Sequence, residues 1–310
     1  MAETPRWAVV ANPTKLSDAD AALVRQRLAE AGHDDPLWLE TTEDDPGRAM
    51  TKQALDAGVE LVLAAGGDGT IRMVAEVLAG TDVVMGILPV GTGNLLARNL
   101  FLPLELPGAL DVVLGEAERR IDTVVLTVDG GEPERFAVMA GTGLDAMIMD
   151  NVNDSLKKFI GPGAYFIAAT KAIGRLPVPV HLTIDGTRHK RNAVVCLLAS
   201  CGQLPGDLGL IPDARPDDGL VHVYVAFPTR LRHWFKALLR LVTRRPRKDD
   251  HVQIWTGRRV EIRLGEKDPY QLDGDVGGEG TVFLAEVDPG SLRIRADAPH
   301  RADAAPQNVR

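Results

Sequence analysis

Apolar positions in the first 120 residues alternate between two rhythms. Short uninterrupted runs at Trp7–Ala11, 37–39, 61–65 and 84–88 read as strands buried on both faces. Between them, 18–31 carries Ala21, Leu23, Val24 and Leu28 at helical spacing and stops at Gly32, a good C-terminal cap. Residues 46–57 read as a second helix ending before Gly58, and 71–78 as a third. The fourth strand leads into a glycine loop and the pattern NLLARNL. Short β-α-β-α units specify a parallel sheet with helices on both faces, and such sheets bind ligands at the carboxyl ends of their strands.

From about residue 120 the pattern changes. Strands are expected at 121–128, 135–139, Val178–Ile184, 193–200, 220–227, 252–255, 260–264, 282–287 and 292–294. Turn signals separate them, including Asp129-Gly130-Gly131, Asp185-Gly186 and Asp288-Pro289-Gly290. Hairpins in series predict an antiparallel β-sandwich. Helical insertions are expected near 154–174 and 229–243. The fold class is therefore two-domain: a nucleotide-binding α/β domain at 1–120, with a parallel sheet and helices on both faces, then a substrate-binding β-sandwich with helical insertions at 121–297. A disordered tail is expected at 298–310.

Composition narrows the function classes. With 45% hydrophobic and 25% charged residues the chain has the make-up of a globular protein. Aromatics at 5% and a net charge of -8 argue against nucleic-acid binding. Cys196 and Cys201 share an apolar run with no CxxC spacing, which fits reduced core residues. No run reaches about 18 apolar residues, so no membrane span is expected. The N-terminal stretch lacks a basic region followed by a long apolar one, so a cytoplasmic location is expected.

The chemistry concentrates in the glycine loops. Gly66-Gly67-Asp68-Gly69-Thr70 lies between a strand and a helix, where glycines let the backbone approach phosphate oxygens and the new helix offers free N–H groups. Thr70 can cap that helix and donate its hydroxyl to phosphate. Asp68 beside phosphates calls for a magnesium ion or a proton between them. A second loop, Pro89-Val90-Gly91-Thr92-Gly93-Asn94, also follows a strand. Neither loop matches GxxxxGK[ST], which rules out a Walker-type site.

The ordered motifs Asn12-Pro13, GGDGT, GTGNLLAR, an aspartate-rich turn and LDGD resemble the diacylglycerol kinase catalytic family, which includes bacterial lipid kinases and, more distantly, sphingosine and ceramide kinases. The resemblance runs from about residue 7 to 296. It implies an enzyme that uses ATP and Mg2+ to phosphorylate a lipid alcohol, with diacylglycerol going to phosphatidic acid. It further implies that Asn12 and Thr42 lie near the nucleotide, that Gly66, Gly67, Asp68, Gly69, Thr70, Ile71 and Arg72 wrap the phosphates, and that Thr92 completes the site with Asn94 bracing it. Asp68 would act through magnesium. A structural magnesium would be held by the Asp218 carboxylate and the carbonyls of Arg215 and Leu220; as a bare sequence, that stretch is equally a solvated turn. Asp275 stands where the family has a glutamate, the base that deprotonates the lipid hydroxyl. Arg72-Met73 and Leu95 are further departures from the family pattern.

The stretch 230–248 carries Arg230, Arg232, Lys236, Arg240, Arg244, Arg245, Arg247 and Lys248 and no acid, interleaved with Trp234, Phe235 and leucines at helical spacing. In an acidic protein this local reversal suits peripheral contact with an anionic membrane through 229–248, or equally a helix packed on the sandwich with its cations solvated. A homodimer is compatible with the sequence. Two other readings stay open: an NAD kinase-like enzyme with a soluble acceptor, and a catalytically weak lipid-binding regulatory protein.

Overall fold

The computed structural model of the 310-residue chain describes residues 6–142, 177–204, 208–227 and 251–297. The chain divides into two compact units: Met1–Ile121 with Gly290–Arg310, and Asp122–Pro289. The expected helices near 154–174 and 229–243 and the tail at 298–310 lie outside the described residues.

In the first unit, β1 (Trp7–Ala11), β2 (Leu37–Glu40), β3 (Leu61–Gly66) and β4 (Val84–Pro89) run parallel in the order β2-β1-β3-β4. Every residue of β1, β3 and β4 is buried, the consequence of uninterrupted apolar runs, whereas edge strand β2 is half-covered. Helix α1 (Asp18–Glu30) is capped by Ser17, which accepts the Asp20 N–H, and buries Val24 and Leu28. Each such side chain contributes about 1.5–3 kcal/mol on leaving water. Helix α2 (Arg48–Asp56) follows β2, α3 (Asp68–Leu78) follows β3, and the short α4 (Leu95–Asn99) follows β4. A further helix, α5 (Leu106–Leu114), was not anticipated, although Leu106, Ala109, Leu110 and Val113 show the i, i+3, i+4, i+7 spacing and are all buried.

The second unit contains β6 (Glu134–Phe136), β7 (Met139–Thr142), β8 (Val178–Ile184), β9 (Thr187–Ala193), β10 (Val195–Ala199), β13 (Val221–Ala226) and β14 (Val252–Gly257), with most of β5 (Glu118–Val128) and β16 (Asp275–Arg295) and all of β15 (Arg259–Leu272). Two short strands, β11 (Gln203–Leu204) and β12 (Leu208–Gly209), pair only with each other among the described residues. β15 has two partners along its length: 260–264 pair with β8, and 270–272 pair with β7. A register shift between Arg263 and Asp268 separates these halves, as a bulge does when it re-aims a strand. Val180, Leu182 and Ile184 of β8 share one core with Val221, Val223 and Val225 of β13, Phe136 and Phe283. The expected single strand at 193–200 is instead the end of β9 followed by β10, and most of β9 was missed because its residues are nearly all polar.

One expectation is overturned here. Asp288-Pro289-Gly290 is not a hairpin turn but lies within β16. The strand continues through these residues with Gly290 at φ +60, and from Gly290 onward it belongs to the first unit, where Ile294 pairs in parallel with Met85 of β4. The turn-forming residues mark the passage between units: Asp288 pairs with Arg135 at 2.7 Å, and the Ser291 carbonyl accepts the Gly80 N–H at 2.8 Å.

Both cysteines are free and buried, and burial pushes the Cys196 thiol up to about 12. Among the described residues no helix is long and apolar enough to cross a membrane.

Candidate phosphate-binding site

Four connections leave the carboxyl edge of the parallel sheet. The order β2-β1-β3-β4 makes the chain change direction between β1 and β3, the crevice where open α/β sheets take ligands. Asn12 leaves β1 there and its N–H donates to the Ala65 carbonyl of β3 at 2.8 Å, while its Oδ1 accepts from the N–H and hydroxyl of Thr14.

The first glycine loop enters α3 earlier than the sequence suggests. Gly67 is the N-cap, no side chain caps the helix, and Asp68, Gly69 and Thr70 form its first turn. They stand at the positive end of the helix dipole, an arrangement that suits phosphate. Thr70 therefore does not cap α3. Its side chain folds back over Gly66, where an added Cβ would lie 2.5 Å from Thr70 Cβ and 2.6 Å from Oγ1.

The two loops touch. A Cβ on Gly91 would lie 2.6 Å from the Gly67 Cα and 2.9 Å from Asn94 Oδ1, and one on Gly93 would lie 2.4 Å from Asp68 Oδ2. Asp68 reaches across: Oδ2 accepts the Asn94 N–H at 3.0 Å and Oδ1 the Leu95 N–H at 2.6 Å. Its carboxylate thus holds the start of α4 as well as standing in the phosphate loop. Asn94 adopts φ +49 and braces its own loop, with Oδ1 accepting the Gly91 N–H at 3.0 Å and Nδ2 donating to the carbonyls of Pro89 at 3.1 Å and Gly91 at 3.0 Å. Thr92 is exposed at the tip. Gly91→Ala should force the loops apart by a fraction of an ångström or more, weaken any nucleotide use by about a hundred-fold and cost about 1–3 kcal/mol of folding stability. Steady-state kinetics at varied ATP would check this; wild-type kinetics would contradict the contact.

Two of the expected phosphate-wrapping residues have other work. Ile71 is a core residue whose N–H already donates to the Gly67 carbonyl at 3.0 Å. Arg72 is buried along α3 beside Glu76, which also pairs with Arg48 of α2 at 2.7 Å. Leu95, where the family often has aspartate, is buried and contributes its N–H to Asp68.

Thr42 sits exposed after β2, its Oγ accepting the Asp45 N–H at 3.1 Å. Asp45 in turn accepts from the N–H groups of Gly47, Arg48 and Ala49 at 2.9, 2.6 and 2.9 Å, closing the start of α2. Burial raises its carboxyl, but these N–H groups and Arg48 outweigh that and hold it below the ordinary 3.8. Because the folded value is the lower one, the cap stabilises the fold above the unfolded value and loses this as pH falls through the folded one. Asp45→Ala should cost about 1 kcal/mol at neutral pH. In urea titrations that difference should shrink in acid; a pH-independent difference would contradict the ionised cap.

In the second unit, the aspartate-rich turn is tied from within. Asp218 accepts the Arg215 and Leu220 N–H groups, each at 3.0 Å, and its Oδ2 meets His222 Nε2 at 2.9 Å. Burial raises its carboxyl, but these bonds and the His222 ring bring it below the ordinary range. Asp122, which the sequence reading missed, accepts the Gly219 N–H and donates its own N–H to the Pro216 carbonyl, both at 2.7 Å. Burial pushes the Cys201 thiol well up, aided by Asp273, Asp218, Asp122 and Asp217. Asp218, Arg215 and Leu220 thus share one turn, in which the Asp218 carboxylate is engaged by two main-chain N–H groups and the His222 ring.

The LDGD motif is the hairpin turn between β15 and β16. Leu272 pairs with Asp275, and Asp273 and Gly274 have φ of +48 and +95, the signature of a two-residue type I′ turn. Asp273 is buried and its carboxylate accepts three main-chain N–H groups, from Ala137 at 2.9 Å, Val138 at 2.9 Å and Met139 at 2.8 Å. Asp275 opens β16, partly exposed.

Residues 6–126 match the family described as "Diacylglycerol kinase catalytic domain", and residues 138–296 match "YegS C-terminal NAD kinase beta sandwich-like domain". The chain is 29% identical over 280 residues to a diacylglycerol kinase of Bacillus subtilis (strain 168), covering 88% of this chain and 90% of that one. It is 31% identical over 276 residues to a Chromohalobacter salexigens protein named "Probable lipid kinase YegS-like", covering 87% and 86%. A solved diacylglycerol kinase structure from Bacillus anthracis str. Sterne superposes with a TM-score of 0.70 at 19% identity over 96% of this chain and 98% of that one, which bears on the fold alone. Since the matches take in both the glycine-loop unit and the sandwich, the chain belongs to the diacylglycerol kinase and YegS-like lipid kinase family.

Proposed function

We propose that this protein transfers the γ-phosphate of ATP to the hydroxyl of a lipid alcohol, with diacylglycerol as acceptor and phosphatidic acid as product. The observation that carries the reading is the uncapped first turn of α3, locked to the second glycine loop by Asp68. Phosphoryl transfer asks for positioning and charge stabilisation rather than covalent work by the protein. The N–H groups of Asp68, Gly69 and Thr70 hold phosphate oxygens, with Asn12 and Thr92 at neighbouring strand ends. Asp275 takes the proton from the acceptor hydroxyl, whose oxygen bonds to the γ-phosphorus as the bridging P–O bond breaks and ADP leaves with its electron pair. Magnesium supplies neutralisation of phosphate charge, and Asp218 with the carbonyls of Arg215 and Leu220 would hold a structural ion. The basic stretch 229–248, outside the described residues, is proposed to meet the anionic cytoplasmic face of a membrane.

The test is label transfer from ATP with magnesium to a panel of lipid alcohols in mixed micelles, with NAD as a soluble control. Label on diacylglycerol is expected. Asp275→Asn should lower turnover by about a hundred-fold or more, and Asp275→Glu, which restores the family's longer carboxylate, should raise it. Label appearing on NAD and on no lipid would overturn the reading, and no transfer by either the wild type or Asp275→Glu would point to a binding protein.

A further inference from the structure

Gln271 is a buried amide near the end of β15, between β7 and β16 and just before the LDGD turn, with 1% of its surface exposed. Its main chain pairs with Gly141 on one side and Val276 on the other. A Cβ on Gly141 would lie 2.5 Å from Leu197 Cδ2 and 2.6 Å from the Cys196 carbonyl oxygen, so the sheet beside Gln271 is closely packed. Burying an amide is costly unless its polar atoms are bonded. Here Gln271 Oε1 accepts the Gly274 N–H at 2.7 Å, a bond that runs from the strand into the turn.

An Asp-Gly pair at positive φ closes a type I′ turn without a side-chain brace, so turn formation alone does not call for this bond. What the bond adds is control of one peptide plane. The Gly274 N–H belongs to the peptide that joins Asp273 to Gly274, and the Asp273 carboxylate is itself fixed by three main-chain N–H groups. Asp275 follows, paired with Leu272. Beyond it the register skips Gly277, where a Cβ would lie 2.2 Å from Tyr270 Cε2 and 2.8 Å from Leu272 Cδ1. Asp275 therefore enters β16 between a braced turn and a bulge packed against Tyr270. Gln271 stands opposite Val276 rather than Asp275, so it acts on the carboxylate through the main chain. An aspartate has one side-chain torsion fewer than a glutamate, which ties the reach of its carboxylate more closely to the place of its Cα.

We infer that Gln271 is a positioning residue for the transfer reaction, fixing through Gly274 the place from which the Asp275 carboxylate meets the acceptor hydroxyl. This role rests on the kinase reading, and the experiment separates the two. Gln271→Met keeps the length of the side chain and removes the acceptor. It should lower kcat for lipid phosphorylation by about ten- to a hundred-fold while KM for ATP stays within about two-fold of wild type. The loss should shrink to a few-fold in an Asp275→Glu background, whose longer carboxylate can adjust, and vanish in Asp275→Asn. An equal loss in all three backgrounds would overturn the positioning role and leave the kinase reading standing. Wild-type turnover by Asp275→Asn, or transfer to no lipid, would overturn that reading and the role with it. Amide hydrogen exchange tests the brace without turnover. In Gln271→Met the Gly274 amide should exchange at least about ten-fold faster, while those of Ala137, Val138 and Met139 stay as slow as in wild type. An unchanged Gly274 rate would overturn the brace, and equal acceleration of all four amides would show a general loosening and overturn the local role.

Discussion

Asp68→Asn is expected to reduce kcat/KM for ATP by about a hundred-fold while leaving the protein folded. The carboxylate uses one oxygen for the Asn94 N–H and the other for the Leu95 N–H. An amide presents one acceptor and one donor, so one of these N–H groups must then face an NH2 group. The mismatch costs about 1–3 kcal/mol locally. Its larger consequence is positional, because the Gly67–Gly91 contact leaves no slack between the loops and misplacement of about an ångström is enough for a hundred-fold loss. The same variant distinguishes a tie from a metal ligand. As a tie, Asp68 can be replaced with little change in the magnesium concentration that gives half-maximal activity; as a ligand, its loss raises that concentration by about ten-fold or more. Wild-type kcat/KM in a folded Asp68→Asn protein would remove the bridge from the mechanism.

The second large effect is on stability. Asp273→Ala would strand three main-chain N–H groups, those of Ala137, Val138 and Met139, at a buried position. At about 1–3 kcal/mol for each unsatisfied buried donor, and less than additively because they share one acceptor group, a loss of about 3–5 kcal/mol is expected. Asp273→Asn, which keeps one acceptor and the turn's tolerance of positive φ, should lose about half as much. Urea unfolding followed by circular dichroism would measure both. If either variant unfolds within about 0.5 kcal/mol of wild type, the carboxylate does not anchor the 137–139 segment. Asp273 and Asp275 stand two residues apart in one motif, yet the first is buried with its carboxylate taken by main-chain N–H groups, while the second is partly exposed at the start of β16.

Most of the parallel sheet was legible in the sequence because a strand buried on both faces must be apolar without interruption, and β1, β3 and β4 are. The glycine loops were legible because only glycine tolerates backbone approaching backbone, and their place between strand and helix points to phosphate. β9 was not, since its polar residues carry no burial signal. Nor was the destination of β16, where proline and glycine look the same in a hairpin as in a strand passing from one unit to the other.

The first glycine loop shows where the boundary falls. Local sequence determined that a strand would end at Gly66, that a helix would follow, and that its first turn would offer N–H groups, because these depend on neighbours in the chain. It could not determine which way each side chain would face. Asp68 turns to α4, a choice made by a partner brought close through folding, whereas Thr70 over Gly66 and Arg72 beside Glu76 are contacts between residues only four apart. Hydrogen bonds and close contacts between segments 26 or 27 residues apart exist only once β3 and β4 are paired, so tertiary structure alone decided them.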